Sequence, residues 1–160
     1  MENIVSTDQS RTIQTRIVLP PDTNHLDSIF GGKVLAYIDE VAALAAMKHS
    51  RCLVVTASID SVHFLSSAKV GDILTLEGYV VSTGRTSMEV YVKVESEDLL
   101  TGQKAITTTS FLTMVAMDSN SIPTEVPRVL PQTLEEEKRF EEAQLRKKIR
   151  KQNQKMTKGE

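Results

Sequence analysis

Asp22–Ala46, DTNHLDSIFGGKVLAYIDEVAALAA, changes character near its middle. The first half is dense in Asp, Asn, Ser and Gly, the residues of turns and loops. From Lys33 to about His49 apolar residues recur at helical spacing: Val34, Ile38, Val41 and Ala45, with Leu35, Ala42 and Ala46 beside them. A helix apolar on nearly every side is a buried helix. Yet Asp39 and Glu40 lie in its middle, and a buried carboxylate is costly unless something pairs with it or uses it. The stretch therefore asks for a cover around the helix and a reason for its acids.

The flanking sequence supplies the cover. Residues 12–19, TIQTRIVL, read as a strand ended by Pro20 and Pro21. After the helix come CLVVTASIDSVHF, ILTLEGYVVSTG, TSMEVYVKVESED and KAITTTSFLTMVAM, all rich in Val, Ile and Thr. In the third, Met88, Val90, Val92 and Val94 alternate with Glu89, Tyr91, Lys93 and Glu95, so one face is packed and the other partly wet. Turns at VGD (70–72), STGR (82–85) and LTGQ (100–103) separate the strands. The expected class is α+β: an antiparallel sheet wrapped around one central buried helix.

Beyond Met117 a Pro-containing connector leads to LEEEKRFEEAQLRKKIRKQNQK, with its acids first and its bases last, which suits the helix dipole. Its basic end, Arg146 to Lys158, could contact nucleic acid or phosphate; a solvated, fraying terminal helix is the plainer expectation. The expected organisation is a flexible segment over 1–11, the main domain over 12–118, and connector plus charged helix over 119–160.

Composition removes several functional classes. With 160 residues, one domain is expected, and 40% hydrophobic and 25% charged content are ordinary for a soluble protein. A formal net charge of -2 gives no field to recruit nucleic acid or acidic lipid. Tryptophan is absent, which weakens any base-stacking reading. The N-terminus carries no secretory pattern and no stretch approaches a membrane span, so no membrane partner and a cytoplasmic location are expected. The single Cys52 fits a reducing compartment and reads as a small buried hydrophobe.

GxSxG elbows, GxxxxGK[ST] phosphate loops and CxxC pairs are missing. His25, His49 and His63 lack metal-ligand spacing. Asp22, Asn24 and Asp27 lack the later bidentate Glu of a calcium loop. Three features remain. Gly31–Gly32 at the helix start either permits close packing against a strand or leaves backbone N–H groups open to a developing oxyanion. Asp39 lies about two turns further on, with Leu35, Ala42 and Ala46 on its flank. Asn24 would ordinarily be a turn residue.

Taken together, N-x(5)-FGG-x(6)-D-E-x(5)-A, followed by SVHFLSSAKVGD and TGRTSMEV, resembles the acyl-CoA hydrolase family with the hotdog fold. That family includes bacterial acyl-CoA thioesterases and brain-type cytosolic acyl-CoA hydrolases. The likeness covers about residues 12–118, and the terminal helix is also similar. It implies an enzyme that hydrolyses acyl-CoA, paired as a homodimer and commonly assembled as a trimer of dimers, a homohexamer. The family's catalytic Asn matches Asn24 and its catalytic Asp matches Asp39, as general base or as nucleophile. Gly31 and Gly32 would polarise the thioester carbonyl. The family's CoA-contacting segment matches Gly84, Arg85, Thr86 and Ser87, although a bare turn arginine is the plainer reading there. Glu40 is left a structural role, and no metal or redox cofactor is implied. The rivals are a hotdog sensor that binds acyl-CoA without turnover, and a hydroxyacyl-thioester dehydratase, whose chemistry pairs a His with an acid.

Overall fold

A computed structural model describes residues 3–159. The elements are β1 (Ile4–Ser6), α1 (Thr7–Ser10), β2 (Thr12–Ile17), α2 (Gly31–Ser50), β3 (Leu53–Phe64), β4 (Ile73–Thr83), β5 (Ser87–Glu97), β6 (Lys104–Met117), β7 (Arg128–Leu130) and α3 (Leu134–Lys158). Five strands form one antiparallel sheet in the order β2-β4-β5-β6-β3. The helix and the four long strands fall where the period-two and helical patterns predict them, and the class is the expected α+β hotdog arrangement.

α2 lies on the inner face of this sheet. Ile38, Val41, Ala42, Ala45 and Ala46 are fully buried against Leu76 and Val80 of β4, Val90 and Val92 of β5, and Leu112 and Met114 of β6. The helix comes close to the sheet at Gly78 on β4. A Cβ there would stand 2.8 Å from Val41 Cγ1 and 3.3 Å from Val92 Cγ2. Only a residue without a side chain lets the helix settle so near the sheet. At the far end of α2, His49 is 1% exposed, and its Nε2–H donates to the Pro127 carbonyl at 2.8 Å. Burial pushes that imidazole below its ordinary pKa. His25 and His63 lie at the surface, and Cys52 is half-buried rather than buried.

The periphery of the sheet differs from the pattern-based expectation. The outer face of β5 is wet only toward its far end: Glu89 is 3% exposed and Tyr91 is buried as well, while Lys93 and Glu95 are half-buried. α3 covers Glu89 and Tyr91 with its first part and with Arg146 and Arg150, while residues 151–159 at its basic end are exposed, as a solvated terminus would be. Arg139 and Arg146 lie 3.7 Å from the ring centroids of Tyr91 and Phe111, while Ala143 is buried between helix and sheet. The arginine stems cover apolar surface and their heads reach a carboxylate, so a run of charges becomes a packing face. Of the 1–11 segment, residues 1 and 2 lie outside the described residues, and the rest carries secondary structure. β1 pairs in parallel with β7, and Ser10 Oγ donates to Thr7 O at 2.7 Å while accepting the Val80 N–H at 2.9 Å.

Gly78→Ala should lower stability by about 1–3 kcal/mol, the usual cost of overpacking a dense core. The same change in a Val41→Ala background should cost clearly less, because the clashing methyl is gone. Equal shifts of the denaturation midpoint in both backgrounds would show that the helix does not depend on this contact.

Candidate active site

The loop before α2 is held by its own asparagine. Asn24 Oδ1 accepts the backbone N–H groups of Leu26 at 2.9 Å and Ser28 at 3.3 Å, an Asx-type turn. The Asn24 N–H donates to Ser28 O, and Asp27 takes a left-handed φ of 58° at the tip. The loop is pinned to the β3–β4 connection through Ile29 N–H to Ala68 O at 2.8 Å. With Oδ1 committed, the Nδ2 amide of Asn24 has no partner among the described residues and remains a donor.

Phe30 precedes the first turn of α2 and makes no side-chain cap. Lys33 and Val34 N–H turn back to Phe30 O, whereas the N–H groups of Gly31 and Gly32 meet no acceptor among the described residues. The close-packing reading of the two glycines does not hold within one chain. A Cβ on Gly32 would touch nothing within 4 Å, and one on Gly31 would make only ordinary contact with the Phe64 ring at 3.4 Å. Both residues are exposed, so two open donors and the positive end of a twenty-residue helix face outward.

Asp39 sits about two turns along the same helix. Its Oδ1 accepts a hydrogen bond from Thr56 Oγ1 of β3 at 2.6 Å, which fixes one oxygen and leaves Oδ2 without a described partner. Thr56 escaped the sequence reading. It is one threonine in a strand-forming run, and nothing in local spacing marks it as the partner of an acid seventeen positions earlier. Glu40 points elsewhere and pairs with Arg16 at 3.1 Å, in keeping with a structural role.

Within one chain the candidate residues are only partly brought together. Asn24 and Gly31 line one groove of about 510 Å³ with Phe64, Ser66 and Thr107. Asp39 does not line it. The Thr83–Ser87 turn sits at the same end of the sheet as Thr56, since Thr56 pairs with Met114 and Met114 with Met88. Its backbone is in use: Arg85 O accepts from Val126 N–H and Thr86 O from Ala116 N–H, each at 3.0 Å. The Arg85 side chain is 78% exposed and only 3.9 Å from Glu125, a loose surface pair. β3 is an edge strand with Leu53, Val55 and Ile59 exposed along it. Among the described residues no group of metal-ligating side chains occurs, and no helix is long and apolar enough to cross a membrane.

A Thioesterase superfamily model matches residues 26–103. The uncharacterized acyl-CoA thioester hydrolase YkhA of Bacillus subtilis is 49% identical over 80% of this chain and 74% of its own length. The chain belongs to the acyl-CoA hydrolase family with the hotdog fold. It is thus an enzyme of the thioester-hydrolase class, as the motifs imply. The backbone matches a hexameric acyl-CoA thioesterase crystal structure with a TM-score of 0.93 and 64% identity over 94% of this chain and 97% of that one. It also matches the acyl-CoA hydrolase of Staphylococcus aureus in complex with butyryl coenzyme A and coenzyme A, with a TM-score of 0.92 and 40% identity over 98% and 95% of the two chains. Structures of that protein also exist for variants in which an aspartate, an asparagine or a threonine is replaced by alanine. The cytosolic acyl coenzyme A thioester hydrolase of Rattus norvegicus is 34% identical over 88% of this chain, which spans only 37% of that protein's length.

Proposed function

We propose that the protein hydrolyses acyl-CoA to the free acid and CoA at a site shared between two copies of the chain. The observation that carries this reading is the pair of unsatisfied N–H groups at Gly31 and Gly32, on the same helix as a carboxylate with one oxygen tied and one free. The thioester oxygen accepts from the two glycine N–H groups, and the negative charge that grows on it is met by fixed donors. One such donor is worth about 2.7–4 kcal/mol in a well-measured hydrolase. Asp39 Oδ2 takes a proton from water as the water oxygen attacks the carbonyl carbon. The C–S bond then breaks, and the departing CoA sulfur takes the proton that Asp39 gained, which returns the carboxylate to its starting form. Thr56 holds the carboxylate in aim, and the free amide of Asn24 donates to the water or the thioester. Direct attack by Oδ2, giving a mixed anhydride that water opens, is the other route open to the same oxygen.

The shared site follows from what one chain lacks. Asn24 lies in a groove that Asp39 does not reach, while β3 presents an unpaired apolar edge of the kind that pairs with another strand. Two copies joined along β3 bring the Asn24 loop of one toward Asp39 of the other, and three such dimers give a hexamer like the one formed by the similar thioesterase. Arg85, exposed at the same end of the sheet as Thr56 and only loosely paired with Glu125, takes the phosphates of CoA, with Gly84, Thr86 and Ser87 shaping the turn. CoA enters as part of the substrate, and the proposed steps use no metal or redox group. A cytoplasmic location suits the likeness to a cytosolic relative. The dehydratase alternative has little support, because His25 and His63 are at the surface and buried His49 is engaged with Pro127.

In a thiol-release assay across acyl-CoAs of graded length, Asp39→Asn should lose about 10²-fold or more in rate with little change in substrate binding. Near-normal turnover by the folded variant would remove Asp39 from the chemistry. Tight binding with no release by the unaltered protein would favour the sensor reading instead.

Arg85→Ala should weaken turnover of CoA esters more than that of small thioesters lacking the nucleotide. Equal losses on both substrates would give Arg85 a role in the fold alone.

Asn24→Ala and Asp39→Ala proteins, unfolded and refolded together in equal amounts, should regain activity. Random pairing makes roughly half the dimers mixed, and each mixed dimer carries one site with both residues, so about a quarter of all sites recover. Mixed dimers that are present by mass yet inactive would rule out a shared site.

A further inference from the structure

The hydrogen bond from Thr56 to Asp39 depends on an irregular strand. Along β3, Thr56 is opposite Met114 and Ser58 is opposite Thr113, so Ala57 has no partner; Ile59 is opposite Leu112 and Ser61 opposite Phe111, so Asp60 has none either. These are two bulges within a few residues. In a regular strand, residues two apart share a face. Here the bulge at Ala57 sends Thr56 to the α2 side, where it meets Asp39, and Ser58 to the α3 side, where it meets Asp60. A one-residue slip that removed the bulge would turn one of the two away.

The carboxylate of Asp60 closes over this irregularity. Its Oδ1 accepts from Ser58 Oγ at 2.8 Å, and its Oδ2 accepts from Thr113 Oγ1 at 3.2 Å and from Arg150 Nη1 at 3.0 Å. Ser58 and Thr113 are the cross-strand pair that follows the first bulge, so one side chain clamps both sides of the register. Arg150 in turn donates to Glu89 at 2.6 Å, and Arg146 grips the same carboxylate with Nη2 at 2.7 Å and Nε at 3.0 Å. Glu89 is opposite Thr113 on β5. One guanidinium of α3 therefore spans three strands, from Glu89 across Thr113 to Asp60. The Glu89 side chain is 1% exposed and those of Arg150 and Asp60 below a fifth, so solvent does little to weaken the clamp.

We propose that Asp60 and Arg150 are positioning residues for the reaction: through the bulge in β3 they set the aim of Thr56, and through Thr56 that of Asp39. The basic end of the C-terminal helix is thereby part of the machinery that orients a group on the opposite face of the sheet. The inference rests on Asp39 being the residue that activates water.

The test is steady-state acyl-CoA hydrolysis by the full chain carrying Arg150→Met, Arg150→Lys and Thr56→Val, with Arg150→Met also made in the Thr56→Val background. Arg150→Met should lower kcat about tenfold with KM nearly unchanged, since small misplacements of a reacting group cost rate rather than binding. Arg150→Lys should recover part of the loss. In the Thr56→Val background Arg150→Met should have no further effect, because residues acting through one contact are not additive. Equal losses in both backgrounds, an unchanged kcat, or an unchanged kcat in Thr56→Val would each overturn the proposal. Should Arg150→Met fail to fold, Ser58→Ala cuts the same clamp at a milder point and should give the same dependence on Thr56; additivity there overturns it equally. Asp39→Asn serves as the reference. Full activity in that variant refutes the catalytic reading itself, whereas loss there with additive Arg150 and Thr56 effects refutes only the positioning.

Discussion

The burial of α2 in the concave face of the sheet is the constraint on which the other parts depend. Ile38, Val41, Ala42, Ala45 and Ala46 are all withdrawn from water, and a large aliphatic side chain so placed contributes about 1.5–3 kcal/mol. Gly78 sets how deep the helix sits. The side of the helix turned from the sheet stays open, with Lys33, Ala36, Glu40 and Lys48 exposed, and Leu35 and Asp39 form a half-buried strip beside it that reaches β3 through Thr56. The acid is tolerated in an apolar helix because it lies on that strip, half-buried and hydrogen-bonded, rather than in the core.

The opposite face of the sheet uses different physics. Glu89 lies on the central strand among Tyr79, Tyr91 and Phe111, where an unpaired charge would be prohibitive. Two arginines from α3 neutralise it, and their neighbour Arg139 lies flat on an aromatic ring. Charge pairing and apolar covering are supplied by the same side chains. A lysine-rich helix could match the net charge but not the fork geometry on Glu89.

How much of this was legible follows from distance along the chain. Elements set by near neighbours were readable: α2 from its helical spacing, β5 from the strict alternation of Met88 to Glu95, and the turns from their glycines. The candidate residues at Asn24, Gly31, Gly32 and Asp39 stand in one continuous motif, so a resemblance could find them. Thr56 could not be found that way, because its importance comes from a bulge that only the pairing of β3 with β6 reveals. The docking of α3 was hidden for a related reason. A run of acids followed by bases looks the same whether it faces water or a buried glutamate on another strand. The ordering of the first residues depends on a parallel pairing with β7, more than a hundred positions away, which no local pattern encodes.

The strand order also carries a message about how the molecule is made. β4, β5 and β6 follow one another through short turns, so their pairing involves near neighbours and small loops. β3 precedes all three in sequence yet pairs only with the last of them, across the whole of the intervening meander. Contacts of that span have the greater loop-closure entropy against them. Thr56 and the bulges lie on this strand, so the acid on α2 gains its orienting partner only through a long-range pairing, far wider in span than the hairpins of the meander. A chain interrupted before β6 would contain every residue of the Asn24–Asp39 motif and still lack the surface that fixes β3 beside it.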